Sequence, residues 1–128
     1  MGNPGTPYTL ERYLGAADTL VIFEGSSAAY ANYKPFVSAP WVANHSRARF
    51  SNIVYGVGSA AAMQRTLAKA GETNTGCVHI TDGVLPNPYG GLPLYWARQV
   101  AAIQAQYPGA SPAGAAIPMG AFRGRVDP

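Results

Sequence analysis

The sequence predicts an α/β fold built from parallel (β/α) units. Three short apolar segments rich in β-branched and aromatic residues are typical of strands, and segments with apolar residues at helical spacing lie between and around them. None of the three alternates cleanly between apolar and polar residues, as expected for strands that are covered on both faces of a parallel sheet. The predicted strands span residues 19–23, 50–57 and 76–81.

The spacing of apolar residues also predicts three helices. Thr9 is expected to cap the first helix through its hydroxyl group. Ser59 is expected to cap the second, and Gly71 is placed to end it. The third carries Pro93 near its first turn and ends before Pro108.

The order of these elements determines the predicted topology. It runs helix, strand, a long loop with a short helix over residues 28–33, strand, helix, strand, helix, which implies right-handed crossovers and a parallel sheet. Three strands are few for such a sheet, because most sheets have about four to six. We therefore expect the remaining strands to lie in another chain, or the sequence to be a fragment.

Composition limits the classes of partner. The net charge is only +3 and the basic residues are mostly scattered, so we expect no nucleic-acid partner. No apolar run approaches the roughly 18 residues of a membrane span, and the first residues lack the pattern of a signal peptide. Residues 1–107 are predicted to form one domain, and residues 108–128 a linker or loosely held tail rich in Gly, Ala and Pro.

Cysteine and histidine usage predicts neither a metal nor a cofactor. His45 and His79 have no cysteine or carboxylate at ligand spacing, and the glycines form no phosphate-binding motif. Cys77 is the single cysteine and lies in an apolar run, so we expect a buried, inert thiol.

Three ordered motifs carry a resemblance to a known family. They read NPGT at 3–6, ADTLVIFEGS at 17–26, and TDG at 81–83 running into PNPYGGLPLYW at 86–96. Together they are similar to the second half of a spherulation-specific family 4 (spherulin-4-like) domain. The resemblance extends over about residues 3–103.

This resemblance implies a partial TIM-type barrel. Members of the family are (β/α)8 barrels similar to glycoside hydrolases, some of which cleave amino-sugar polysaccharides of the cell wall or extracellular matrix. The three strands would be the sixth, seventh and eighth of eight, and a complete barrel usually needs about 200 residues or more. The implied partner is a polysaccharide and the implied location is extracellular or at the cell surface. A second copy of the chain could complete the barrel as a homodimer.

Two of the six acidic residues, Glu24 and Asp82, follow predicted strand ends, where barrel enzymes place their active sites. Glycoside hydrolysis usually needs two carboxyl groups, and Glu24 matches the catalytic glutamate that the resemblance implies. Asp82 lies two strands away, roughly 10 Å between backbones, which suits a second catalytic carboxyl group. Alternatively, Glu24 caps the next short helix or pairs with an arginine, and Asp82 organises the loop that follows it.

Aromatic and polar residues near the same rim are predicted to bind substrate, because sugar rings stack on aromatic side chains. The predicted substrate-binding residues are Tyr89, Asn87, Tyr30, Tyr55 and His79. Tyr89 is the first candidate, since it lies on the loop after the last strand. Some of these aromatic residues could instead belong to the core, and His79 could be a buried histidine with satisfied hydrogen bonds.

The function predicted by the resemblance is a carbohydrate-active domain that is incomplete in this chain, and whether it acts as an enzyme is left open. The alternative is a non-catalytic polysaccharide-binding protein of the surface or of development, or a truncated and inactive fragment.

Overall fold

A computed structural model describes residues 1–5 and 9–109. They form a three-stranded parallel sheet in the order β1–β2–β3, with helices against one face. The strands are β1 (Leu20–Ser26), β2 (Phe50–Tyr55) and β3 (Cys77–Ile80). The helices are α1 (Ser27–Ala31), α2 (Pro35–Ser38), α3 (Ala60–Glu72) and α4 (Trp96–Gln106), and short 3-10 turns span Glu11–Gly15, Pro40–Asn44 and Arg47–Arg49. The predicted α/β class and parallel sheet are confirmed.

All three predicted strands are present, and β1 differs most from its prediction. It ends at Ser26, three residues beyond the predicted end, because its last two residues pair with Val54 and Tyr55 of β2. Glu24 therefore lies within β1, opposite Ile53, and does not follow the strand.

The pairing register divides the side chains of the sheet between two faces. Val54, Val78 and Ile80 pack against α3 in the main core, and neighbouring residues along a strand point to opposite faces. The face turned away from the helices, called the open face below, carries Ser51, Ile53, Tyr55, Cys77 and His79. A second core cluster lies at the start of the sheet, where Leu20 and Phe50 pack around Val42.

A β-bulge in β1 changes the face that its later residues occupy. The two residues that flank Ile22 pair with consecutive residues of β2, so Ile22 is an extra residue. Beyond the bulge, Glu24 pairs with Ile53 and lies on the open face. In a regular strand Glu24 would share the helix-covered face with Leu20, because residues four apart point the same way.

Helix α3 begins as predicted but ends later. The Ser59 hydroxyl oxygen accepts a hydrogen bond from the backbone N–H of Ala62 at 3.1 Å. Gly71 does not end the helix, which continues through Glu72. A Cβ at position 71 would lie 2.8 Å from Nε2 of Gln106, the end of a flexible side chain on α4.

The first predicted helix is only the 3-10 turn Glu11–Gly15. Thr9 does not cap it: Leu10 occupies the capping position and makes no side-chain hydrogen bond. Arg49 holds this region, because its guanidinium donates hydrogen bonds to three backbone carbonyl oxygens. The acceptors are Asp18 at 2.6 Å, Leu14 at 2.7 Å and Ala17 at 3.1 Å.

Helix α4 begins at Trp96, and Pro93 lies just before it, accepting a hydrogen bond from the Trp96 N–H at 3.0 Å. Its buried residue is Gln99, whereas the apolar stripe of Trp96, Val100, Ile103 and Tyr107 is half-buried. The stripe is partly exposed because α4 packs mainly against α3.

The predicted burial of Cys77 is wrong. This side chain is half-buried, because its position in β3 turns it to the open face. Beyond Gly109 the predicted tail lies outside the described residues, and the domain boundary stays a prediction. None of the described helices is both long enough and apolar enough to cross a membrane.

Candidate functional site

Glu24 lies near the carboxyl end of β1 with an exposed side chain whose two oxygens have different donors. The Tyr89 hydroxyl donates to Oε1 at 2.9 Å, and the Asn3 side-chain amide donates to Oε2 at 2.6 Å. No arginine pairs with Glu24 in the described part of the chain, and α1 is capped by the Ser26 hydroxyl, which accepts a hydrogen bond from Ala29. Two neutral groups therefore hold the carboxylate.

Asn3 reaches Glu24 because the start of the chain runs beside β1. Gly2 forms a parallel bridge to this strand, with its N–H donating to Thr19 O and its carbonyl accepting from Val21 N, both at 2.8 Å. The Asn3 side-chain oxygen Oδ1 accepts a hydrogen bond from the Gly5 backbone N–H at 3.0 Å, which leaves the side-chain nitrogen Nδ2 directed at Glu24. Sequence reasoning missed Asn3, although it noted the motif that contains it.

Tyr89 lies on the loop between β3 and α4 and is 44% exposed. Partial burial, the hydrogen bond to Glu24 and the charge of that carboxylate raise the pKa of Tyr89 to about 12. The phenol is therefore protonated at neutral pH and remains a donor. Its ring lies 5.9 Å from the His79 ring, measured between centroids.

His79 continues a row of side chains across the open face. It pairs with Ile53, which in turn pairs with Glu24, so the three lie side by side on neighbouring strands. Burial lowers the pKa of His79 below its ordinary value of 6.5, and the imidazole is neutral at pH 7.

The lowered pKa of His79 predicts a measurable pH dependence. Because the folded state favours neutral imidazole, this stabilising contribution is present above pH 6.5 and is lost as the pH falls through the folded-state pKa. The chain has two histidines, so proton NMR should show two imidazole titrations, with the His79 midpoint below 6.5. His79→Gln assigns the resonance, and a midpoint at or above 6.5 would contradict the prediction.

Asp82 is directed away from Glu24. Its Oδ2 accepts a hydrogen bond from the Leu94 N–H at 3.3 Å, and its carboxylate lines a separate cleft of about 380 Å³ with Ser59 and Arg98. Asp82 lies beyond the end of β3 at Ile80, beside residues that lead into α4. The expectation of a second catalytic carboxyl group at Asp82 is corrected: this side chain holds the chain just before α4.

The cleft beside Glu24 has a volume of about 330 Å³. It runs along the outer edge of β1 and is lined by Asn3, Gly5, Val21, Ile22, Phe23, Glu24 and Tyr33. Glu24 is the single charged side chain of this lining. Among the described residues, no group of three or more His, Cys, Asp or Glu could hold a metal ion.

The model of spherulation-specific family 4 matches residues 1–103. The chain belongs to this family. The crystal structure of Aspergillus clavatus Sph3 in complex with GalNAc has a similar fold, with a TM-score of 0.58 and 20% sequence identity. The match covers 79% of this chain and 40% of Sph3, so the matched part corresponds to well under half of that structure. No curated protein matches the sequence.

The other residues of this family 4 chain that were predicted to bind substrate differ in how far they are exposed. Tyr55 ends β2 on the open face, half-buried and close enough for its charge to contribute to the raised pKa of Tyr89. Asn87 is exposed on the loop before Tyr89 and packs near Gly90. Both are accessible to a ligand at the rim.

Tyr30 is corrected as a substrate-binding residue. Only 2% of it is exposed, and its hydroxyl oxygen accepts a hydrogen bond from the buried Asn52 amide at 2.8 Å. Its ring packs against Phe23 and Tyr33 at 4.8 and 5.8 Å between centroids. A ring enclosed in this way presents no face to a sugar.

Proposed function

We propose that this chain is a carbohydrate-active domain whose Glu24 acts, as general acid or nucleophile, on a polysaccharide containing amino sugars. The observation that carries the proposal is the Glu24 carboxylate on a parallel strand, held by two neutral donors beside an open cleft. Family membership supports it, and Sph3, whose fold is similar, was solved with GalNAc. Action on such a polymer implies a protein that works outside the cell or at its surface.

The contacts of Glu24 suit either chemical role. Asn3 and Tyr89 fix the plane of the carboxyl group, and neither introduces a positive charge that would hold it as an ion pair. Each carboxylate oxygen has two acceptor positions, so one on each remains for a substrate. A protonated Glu24 would donate to the glycosidic oxygen, whereas an ionised Glu24 would attack the anomeric carbon.

The second carboxyl group has to come from elsewhere, because Asp82 is occupied beside α4. We propose that β1, β2 and β3 are the sixth to eighth strands of a TIM-type barrel whose other strands complete the site. The parallel bridge at Gly2 supports this arrangement, since it extends the sheet beyond β1 in the direction that a barrel requires.

We also propose that a second copy of the chain pairs with the exposed edge of this sheet, with its strands parallel to those of the first. Light scattering coupled to size-exclusion chromatography should then give twice the mass of one chain. The dimer should dissociate on dilution without loss of secondary structure if each half is folded alone. A stable monomer at all concentrations would contradict the homodimer and leave the assignment of Glu24 untouched.

A non-catalytic polysaccharide-binding protein is the second candidate, favoured by the separation of Asp82 from Glu24. One experiment distinguishes the two candidates. Sedimentation with an insoluble GalNAc-containing polysaccharide measures binding, and reducing-end analysis of the supernatant measures cleavage. Binding with release of sugar supports the enzyme, and binding without release supports the second candidate. If the chain neither binds nor cleaves the polysaccharide, both candidates are refuted.

A further inference from the structure

We propose that Tyr89 is a positioning residue for Glu24, and that the contact between Gly83 and Pro88 holds it in place. This inference rests on the proposed function of Glu24. The sequence predicts that the Tyr89 ring stacks on a sugar. In the role proposed here the phenol oxygen, and not the face of the ring, makes the functional contact. The hydrogen bond between Tyr89 and Glu24 joins residues 65 positions apart, one on a loop and one on a strand.

The geometry of the carboxylate is the first argument. Oε2 is held by Asn3 at 2.6 Å, and Tyr89 supplies the hydrogen bond to Oε1 at 2.9 Å. With both donors in place, rotation of the carboxyl group about its last bond would break one contact or the other. Without the phenol, the carboxyl group would be held through one oxygen and could turn away from the cleft.

The construction of the loop is the second argument. The Thr81 hydroxyl donates to Pro88 O at 3.3 Å and accepts a hydrogen bond from the Gly83 N–H at 3.1 Å, which ties the two arms of the loop together. Gly83 lies so close that a Cβ there would stand 2.1 Å from Pro88 O. Thr81 and Pro88 are buried, although the loop residues between positions 84 and 87 are exposed. The residue before Tyr89 is thus anchored to the end of β3.

The support for the ring is the third argument. The His79 ring lies 5.9 Å away and is neutral at pH 7, so it packs beside Tyr89 without adding a competing charge. The loop therefore fixes the backbone of Tyr89, and the His79 ring packs beside its side chain. Both supports come from β3 and the residues that follow it, whereas Glu24 comes from β1.

Two substitutions test this role by kinetics. Tyr89→Phe keeps the ring and removes the hydroxyl, so a positioning role predicts a kcat about tenfold to a hundredfold lower with KM little changed. Gly83→Ala should have a similar effect, because it displaces Pro88 and with it Tyr89. Gly91→Ala in the same loop meets no atom within 4 Å and is the matched control, expected to resemble wild type. A Tyr89→Phe enzyme with unchanged kcat would overturn the proposal.

A second measurement does not depend on activity. Carbon-13 labelling of tyrosine Cζ reports the phenol titration by NMR, and Tyr89→Phe assigns the signal. The pKa of Tyr89, about 12 in the wild type, should fall in Glu24→Gln and in Gly83→Ala and stay unchanged in Gly91→Ala. If the wild type releases no sugar, the proposed function fails while this titration still tests the contact. A Tyr89 signal indifferent to Glu24→Gln would refute the contact itself.

Discussion

Replacing Glu24 by glutamine should lower the rate of polysaccharide release by a factor of about 10² to 10⁴. The side chain keeps its size, and the amide can still form hydrogen bonds with Tyr89 and Asn3, so the fold should be unchanged. What is lost is the ability to donate a proton to the leaving oxygen or to attack the anomeric carbon. The measurement is reducing-end release from a GalNAc-containing polysaccharide under saturating substrate.

Glu72→Gln is the matched control for this experiment. Glu72 is exposed at the end of α3, away from the residues that line the cleft, and its substitution removes the same charge. Release by Glu72→Gln should equal that of wild type, and binding of the polymer by Glu24→Gln should persist within a few-fold. Equal release by the two variants would eliminate Glu24 as a catalytic residue.

Replacing Phe50 by alanine should cost about 3–5 kcal/mol of unfolding free energy. Phe50 is the first residue of β2, is 0% exposed, and packs against Leu20, Val42 and Trp41 in the second core cluster. Domains of this size have a total stability of about 5–15 kcal/mol, so the loss would be a large part of the whole. Urea denaturation followed by circular dichroism measures it, and the midpoint should shift sharply downward.

Phe36→Ala provides the same substitution at an exposed position. Phe36 lies in α2 and is 41% exposed, so its truncation should cost well under half as much. Similar losses for the two variants would mean that the cluster around Phe50 does not stabilise the fold. The comparison also tests whether the amino end of the sheet is anchored by this cluster.

The strands could be predicted because their apolar, β-branched residues are continuous in the sequence. The end of α3 could not, since the positive φ that follows the helix, 58°, falls at Asn74 and not at Gly71. The 3-10 turn Glu11–Gly15 begins after Leu10, so Thr9 does not cap it. Arg49, distant in sequence, supplies the contacts that hold the first turn.

The structure brings together only some of the residues that the sequence suggested for a site. Glu24 and Tyr89 were recognised from their places near strand ends, and the structure brings them together. Tyr30 and Asp82 fall on the helix-covered side, because the face that a residue occupies depends on pairing and packing that no local pattern reveals. Nothing in the sequence indicates that the first residues run alongside β1, so the contact of Asn3 with Glu24 was not predicted.

The β-bulge at Ile22 places the two halves of β1 in different surroundings. The side chains of its first half are buried in the hydrophobic core, and its second half carries the exposed carboxylate of Glu24. Because the switch occurs inside one strand, shortening that strand by a single residue would bring a carboxylate toward the aromatic packing around Tyr30 and Tyr33. Insertions and deletions in this stretch should therefore be tolerated far less well than substitutions.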